Sequence, residues 1–170
     1  MAKGGTMEKR IVFVESIKVK VPEDYNHKER LKEFNQKYRQ EFSFYDDLIT
    51  DKNQRKVSYE FKPEEECIAK LYTIKHSISS EDLISFLEKQ KNVIFPAGHG
   101  LTVLYENERK RLPQGLIVSF DRKENLWVHP GGSHGVAVLK NQGSSSEFFL
   151  GFFEDPWNVN TSIIGFYKNN

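Results

Sequence analysis

"GLIVSFDRKENLWVHPGGSHGVAVLKNQGSSSEFFLGFF" occupies residues 115–153. Residues 115–120, 135–140 and 147–153 are apolar runs rich in β-branched and aromatic side chains. Glycine, serine, asparagine and aspartate collect between them. That is the composition of strands punctuated by turns. Connections this short join antiparallel neighbours, because parallel neighbours need a crossover of about a dozen residues or more. Residues 125–130 (NLWVHP) and 162–167 (SIIGFY) extend the series. The reading is an antiparallel β-meander in the C-terminal half. One run is unusual. In "EFFLGFFE" (147–154), Phe148, Leu150 and Phe152 alternate with Phe149, Gly151 and Phe153, so both faces are apolar. Such a strand is either central and covered on both sides, or it shows an aromatic face to a partner.

The pattern upstream is different. In "RIVFVESIKVKV" (10–21), Ile17, Val19 and Val21 alternate with polar residues and Pro22 follows, as in a strand with one solvated face. Residues 23–40 place Leu31, Phe34 and Tyr38 at helical spacing behind acidic residues. Residues 55–61 (RKVSYEF) and 66–78 (ECIAKLYTIKHSI) read as strands. Residues 79–91 (SSEDLISFLEKQK) read as a helix, with Ser79 or Ser80 as cap and Leu83, Phe86 and Leu87 as its apolar stripe. Two or three helices packed on the sheet make this an α+β domain over 10–170. Residues 1–9 read as a leader outside the fold.

Bulk composition narrows the function. A chain of 170 residues has one domain as its prior expectation. Net charge is +1, and neither half is biased: residues 1–90 hold 17 Lys+Arg against 17 Asp+Glu, and residues 91–170 hold 8 against 7. The basic clusters at 52–56 and 108–111 are short, and the second falls at a helix end where cations complement the dipole. A nucleic-acid partner is therefore disfavoured. Cys67 is alone, which excludes an internal disulfide and leaves no thiolate set for zinc. No apolar run reaches membrane-spanning length and the start lacks a hydrophobic signal region, so a cytoplasmic location without membrane contact is expected.

Three constellations are candidate sites. In "NVIFPAGHGLTVLYENERKRLP" (92–113), a strand leads through Gly98, His99 and Gly100 into a helix. Free N–H groups at a helix start attract anions, and His99 adds a donor or a charge. A phosphate loop would also carry a lysine and a Ser/Thr, which are missing, so a plain strand-to-helix turn competes with a pocket. In "HPGGSHG" (129–135), His129 and His134 flank a glycine turn. They would begin a metal site only if His99 and an acid such as Asp121 or Glu154 joined them, and the sequence calls for no metal or cofactor. Trp157, after Pro156 in a polar loop, is expected at a rim where it could touch a ligand. Elsewhere, Cys67 sits beside acids that raise a thiol pKa, Ser133 is next to His134 in sequence only, and no GxSxG elbow occurs.

Two readings follow. The first is a non-catalytic module that binds a protein or small-molecule ligand through an aromatic-rich sheet surface, with a homodimer as one outcome. The second is a small enzyme on an anionic substrate. There the PAGHG loop would be the anion site, and His99, His129 and His134 the acid–base groups or metal ligands. An RNA-contacting sheet ranks below both because the charge is neutral.

Overall fold

The computed structural model describes residues 7–54 and 56–169. Among them, nine strands form one mixed sheet: β1 (Ile11–Lys20), β2 (Phe42–Tyr45), β3 (Glu66–Ile74), β4 (Val93–Ile94), β5 (Gly115–Ser119), β6 (Trp127–Val128), β7 (His134–Asn141), β8 (Ser146–Phe152) and β9 (Ser162–Lys168). The helices are a single turn α1 (Met7–Arg10), then α2 (Arg30–Tyr38), α3 (Ser80–Glu88) and α4 (Ala97–Glu108). The fold class is α+β. Six residues of the expected leader, 1–6, lie outside the described residues.

The sheet runs β1-β3-β9-β5-β7-β8-β2, with β4 added on β9 and β6 on β7. The steps β5–β7 and β7–β8 are antiparallel, so the expected meander is present in part, with β6 set to the side on β7. The last strand departs from it. After β8 the chain returns to the middle of the sheet, where β9 pairs antiparallel with β3 and parallel with β5. The short β2 joins β8 in parallel. The sheet is therefore mixed. The reason lies in "SIIGFY": its side chains are buried on both faces, which a strand at the end of a meander could not achieve.

Each face of the sheet carries its own core. On one side, Leu31 and Phe34 of α2 and Leu101 and Leu104 of α4 pack with Ile17, Ala69, Ile117, Leu139 and Phe148. On the other, Leu83 and Leu87 of α3 pack with Ile74, Val118, Val138, Ile163 and Trp157. α3 is capped as its sequence predicts: the Ser79 hydroxyl accepts from the Asp82 N–H at 3.1 Å. Two expectations fail. Helix α2 begins only at Arg30, because residues 22–29 close turns through Tyr25 N–H to Pro22 O and Glu29 N–H to Asn26 O. Residues 56–61 form no strand. The Ser58 N–H is taken by the Asp121 carboxylate and the Tyr59 N–H by the Phe95 carbonyl, so no ladder partner is used. Both irregular segments border the site described next.

Candidate functional site

The start of α4 is packed into the interior. Ala97 adopts φ +56°, a left-handed conformation that costs an L residue about 1–2 kcal/mol. Its carbonyl is held by the Ser119 hydroxyl at 2.9 Å. A Cβ on Gly98 would lie 2.9 Å from Trp127 Cη2, and one on Gly100 would lie 2.6 Å from Phe166 Cε2. The two glycines thus let the helix lie directly on aromatic rings of the sheet. They sit in the first turn of the helix rather than in a loop, and they are buried. The stretch is thus a strand-to-helix turn between β4 and α4, the reading that competed with a phosphate-type cradle in the sequence.

The same packing carries His99 inside, where it is 2% exposed. Its Nε2 lies 3.1 Å from Asp51 Oδ1, and Asp51 Oδ2 accepts the Leu31 N–H in the first turn of α2. A carboxylate only accepts, so Nε2 carries the hydrogen, and in the neutral ring Nδ1 is an acceptor. That Nδ1 is buried without a hydrogen-bond partner among the described residues. The His27 ring stacks on His99 with centroids 4.2 Å apart and planes 20° from parallel. The Tyr25 hydroxyl and His27 Nδ1 share a hydrogen bond of 3.1 Å, and His27 Nε2 faces Glu60 at 3.4 Å. Burial pushes the Tyr25 phenol well up, which keeps it protonated. Burial, then the neighbouring His99 charge, holds His27 below its ordinary value of 6.5 against the pull of Glu60 and Asp51.

A polar strut supports the pair from behind. Thr102 Oγ1 donates to the His99 carbonyl at 2.7 Å and accepts from Arg30 Nε at 2.9 Å. Arg30 also donates to Glu106, which receives Lys37 and Tyr38 as well. Burial opposes the Glu106 charge, but the hydrogen bonds from Lys37, Tyr38 and Arg30 outweigh it and hold the carboxyl below the usual carboxylate range. The strut ties α2 to α4.

In front of the pair lies a cleft of about 680 Å³, lined by His27, Lys28, Asp51, Gln54, Ser58, Tyr59, Glu60 and His99, among others. Its outer wall is pinned by buried Asp121, which accepts from the Ser58 hydroxyl and N–H and from the Arg122 N–H. Burial raises the Asp121 pKa even against these bonds. Gln54 is 5% exposed. Its amide nitrogen reaches the Lys56 carbonyl at 3.5 Å, and its Oε1 makes no hydrogen bond among the described residues. A somewhat larger groove of about 760 Å³ runs past Tyr105, Arg109 and Ser145. Among the described residues it brings no histidine and no unpartnered buried atom.

The other expected site residues lie elsewhere. Among the described residues His99, His129 and His134 share no hydrogen bond or ring contact, so the convergence that the enzyme reading required is not seen there. β6 pairs Val128, not His129, with His134. The His129 ring lies 4.6 Å from the Phe152 ring on one face of the sheet. His134 Nδ1 meets Glu154 at 2.7 Å on the other. Asp121 serves Ser58, not a histidine. Among the described residues no group of three or more His, Cys, Asp or Glu is placed to hold a metal. Trp157 is 7% exposed rather than on a rim: its indole N–H donates to the Ser80 hydroxyl at 2.8 Å and its ring packs on Phe120. Phe148 and Phe153 are buried, and only Phe152 of that run is open. Cys67 is buried and its thiol is pushed up to about 12 by burial and Glu65. Asp51, His27, Tyr25 and Glu60 carry no motif that sequence reasoning could have found.

No family model, curated protein or solved structure matches the chain.

Proposed function

We propose that the chain binds a small polar molecule in the His27–His99 cleft, with the Asp51–His99 pair as general base. One observation carries this reading: His99 is fixed through Nε2 by a carboxylate while its Nδ1 has no partner among the described residues. A carboxylate behind an imidazole sets its tautomer and stabilises the imidazolium that forms when the free nitrogen takes a proton. Ser58 Oγ, committed to Asp121, is no nucleophile. The proton would come from the bound molecule or from a water beside it. The test is a small-molecule screen by thermal shift on the wild type and His99→Gln. A ligand is expected that raises the melting temperature of the wild type alone. If it is turned over, the rate should fall about 10²–10⁴-fold in the variant. Ligands that stabilise both proteins equally would overturn the assignment.

A second reading, a protein-interaction module, draws support from a different surface than the Phe run. Val12, Phe13 and Val14 are 39%, 53% and 55% exposed on β1, an edge strand of the sheet. Edge strands with apolar side chains pair readily with another chain. Gel filtration of Phe13→Lys against the wild type tests it: a smaller apparent size in the variant supports pairing through β1, and no difference removes it.

A further inference from the structure

The cleft also indicates which chemistry it takes, and this step rests on the reading above that it is a ligand site. Gln54 and His99 line it together, and each holds a buried polar atom without a partner among the described residues. Both atoms are acceptors. The Gln54 amide nitrogen faces the Lys56 carbonyl, which leaves Oε1 as the unbonded end. The His99 Nε2–H faces Asp51, which leaves Nδ1. Asp51 and Glu60 add two carboxylates to the same cleft. A buried acceptor without a donor is an unrelieved cost of the closed cleft, and an incoming donor relieves it. An anion seated here would meet four acceptors. The cations of the cleft are Lys28 and Lys56, both exposed and both without an ion pair among the described residues.

We infer that the cleft recognises a donor-rich head group, built of amino or hydroxyl groups that give hydrogens inward to Gln54 Oε1 and His99 Nδ1, and not a carboxylate, sulfate or phosphate. Both acceptors are closed off from solvent in the structure. This is also the polarity a general base needs, since Nδ1 can take a proton only from a group that donates one.

The experiment is a titration of the ¹⁵N-labelled full chain, followed through the ring nitrogens of His99 and His27. The probes are acetamidinium chloride for amino donors, glycerol for hydroxyl donors, and sodium acetate and sodium sulfate for anions, with sodium chloride as the ionic-strength control. Acetamidinium or glycerol should shift His99 Nδ1, and whichever does so identifies the source of the donors. The anions should do no more than sodium chloride. Gln54→Leu should weaken the active probe about tenfold, the loss of one hydrogen bond. Gln54→Glu keeps an acceptor at that position. It should retain binding, tightening acetamidinium, and it serves as the measure if the leucine variant does not fold. Acetate or sulfate moving His99 while both donor probes fail would overturn this inference and leave the cleft as a ligand site. No probe moving either ring would overturn the site itself.

Discussion

His27 is a side chain through which a change of pH acts on the fold. Tyr25 shares a hydrogen bond with one of its nitrogens, Glu60 faces the other, and His99 covers a face, with Asp51 beyond. Burial and the His99 charge hold its folded pKa below 6.5. In the unfolded chain it returns to that ordinary value. Between the two values the unfolded state binds more protons than the folded state, so stability rises with pH across that window and falls as pH drops through it. Glu106 and Glu154, both lowered from 4.5, act only in a more acidic range. We expect urea midpoints to decline as pH falls below about 6.5, and His27→Phe to flatten that decline. An identical decline in both proteins would assign it to another group. Of this site only His99 is legible in the sequence, from the glycines around it. Asp51 lies 48 residues away, in a turn that reads as ordinary polar loop, and only the tertiary fold brings it to the ring.

At the scale of elements, the contact of α4 with the sheet decides how deeply His99 is set. Replacing glycine by alanine inside a helix ordinarily gains about 1 kcal/mol. At Gly100 the new Cβ would stand 2.6 Å from Phe166 and 2.7 Å from Pro96 Cγ. Neither neighbour is the loose end of a flexible chain, so the helix must lift or the ring must turn, and overpacking of this kind costs about 1–3 kcal/mol. The steric term wins. Gly100→Ala should lower the chemical-denaturation midpoint, and a midpoint at or above the wild type would show that the helix is free to move. Elements with a local cause are legible: α3 through its Ser79 cap and acidic first turn, β7 and β8 through the glycine and serine turn between them. Residues 56–61 alternate like a strand, but whether a strand forms depends on a partner, and Asp121 and Phe95 take its N–H groups instead. The four-residue β2 is too short to stand out by periodicity, and its place is set by β8 alone.

The whole molecule hangs on its last strand. β1 and β3 form one side of the sheet, and β5, β7, β8 and β2 the other; β9 alone joins them in the strand order. It also receives β4, which leads into α4 and His99. Four of its side chains, Ile163, Ile164, Phe166 and Tyr167, are buried, and the first three are divided between the two cores. At about 1.5–3 kcal/mol each, their burial is comparable with the 5–15 kcal/mol by which a domain is stable at all. β3 pairs with β9 across more than half of the sequence, so the sheet closes only after residues 162–168 are made, and pairing of such high contact order is slow. A meander would have predicted the reverse, with the last strand at an edge and dispensable. A chain ending at Thr161 should therefore show no cooperative urea transition by circular dichroism, and its tryptophans should be open to acrylamide. Trp127 and Trp157, both buried in the full chain, should be shielded there. A cooperative transition in the shortened chain would mean that β5, β7 and β8 form a folding unit without the strand that joins them to β1 and β3.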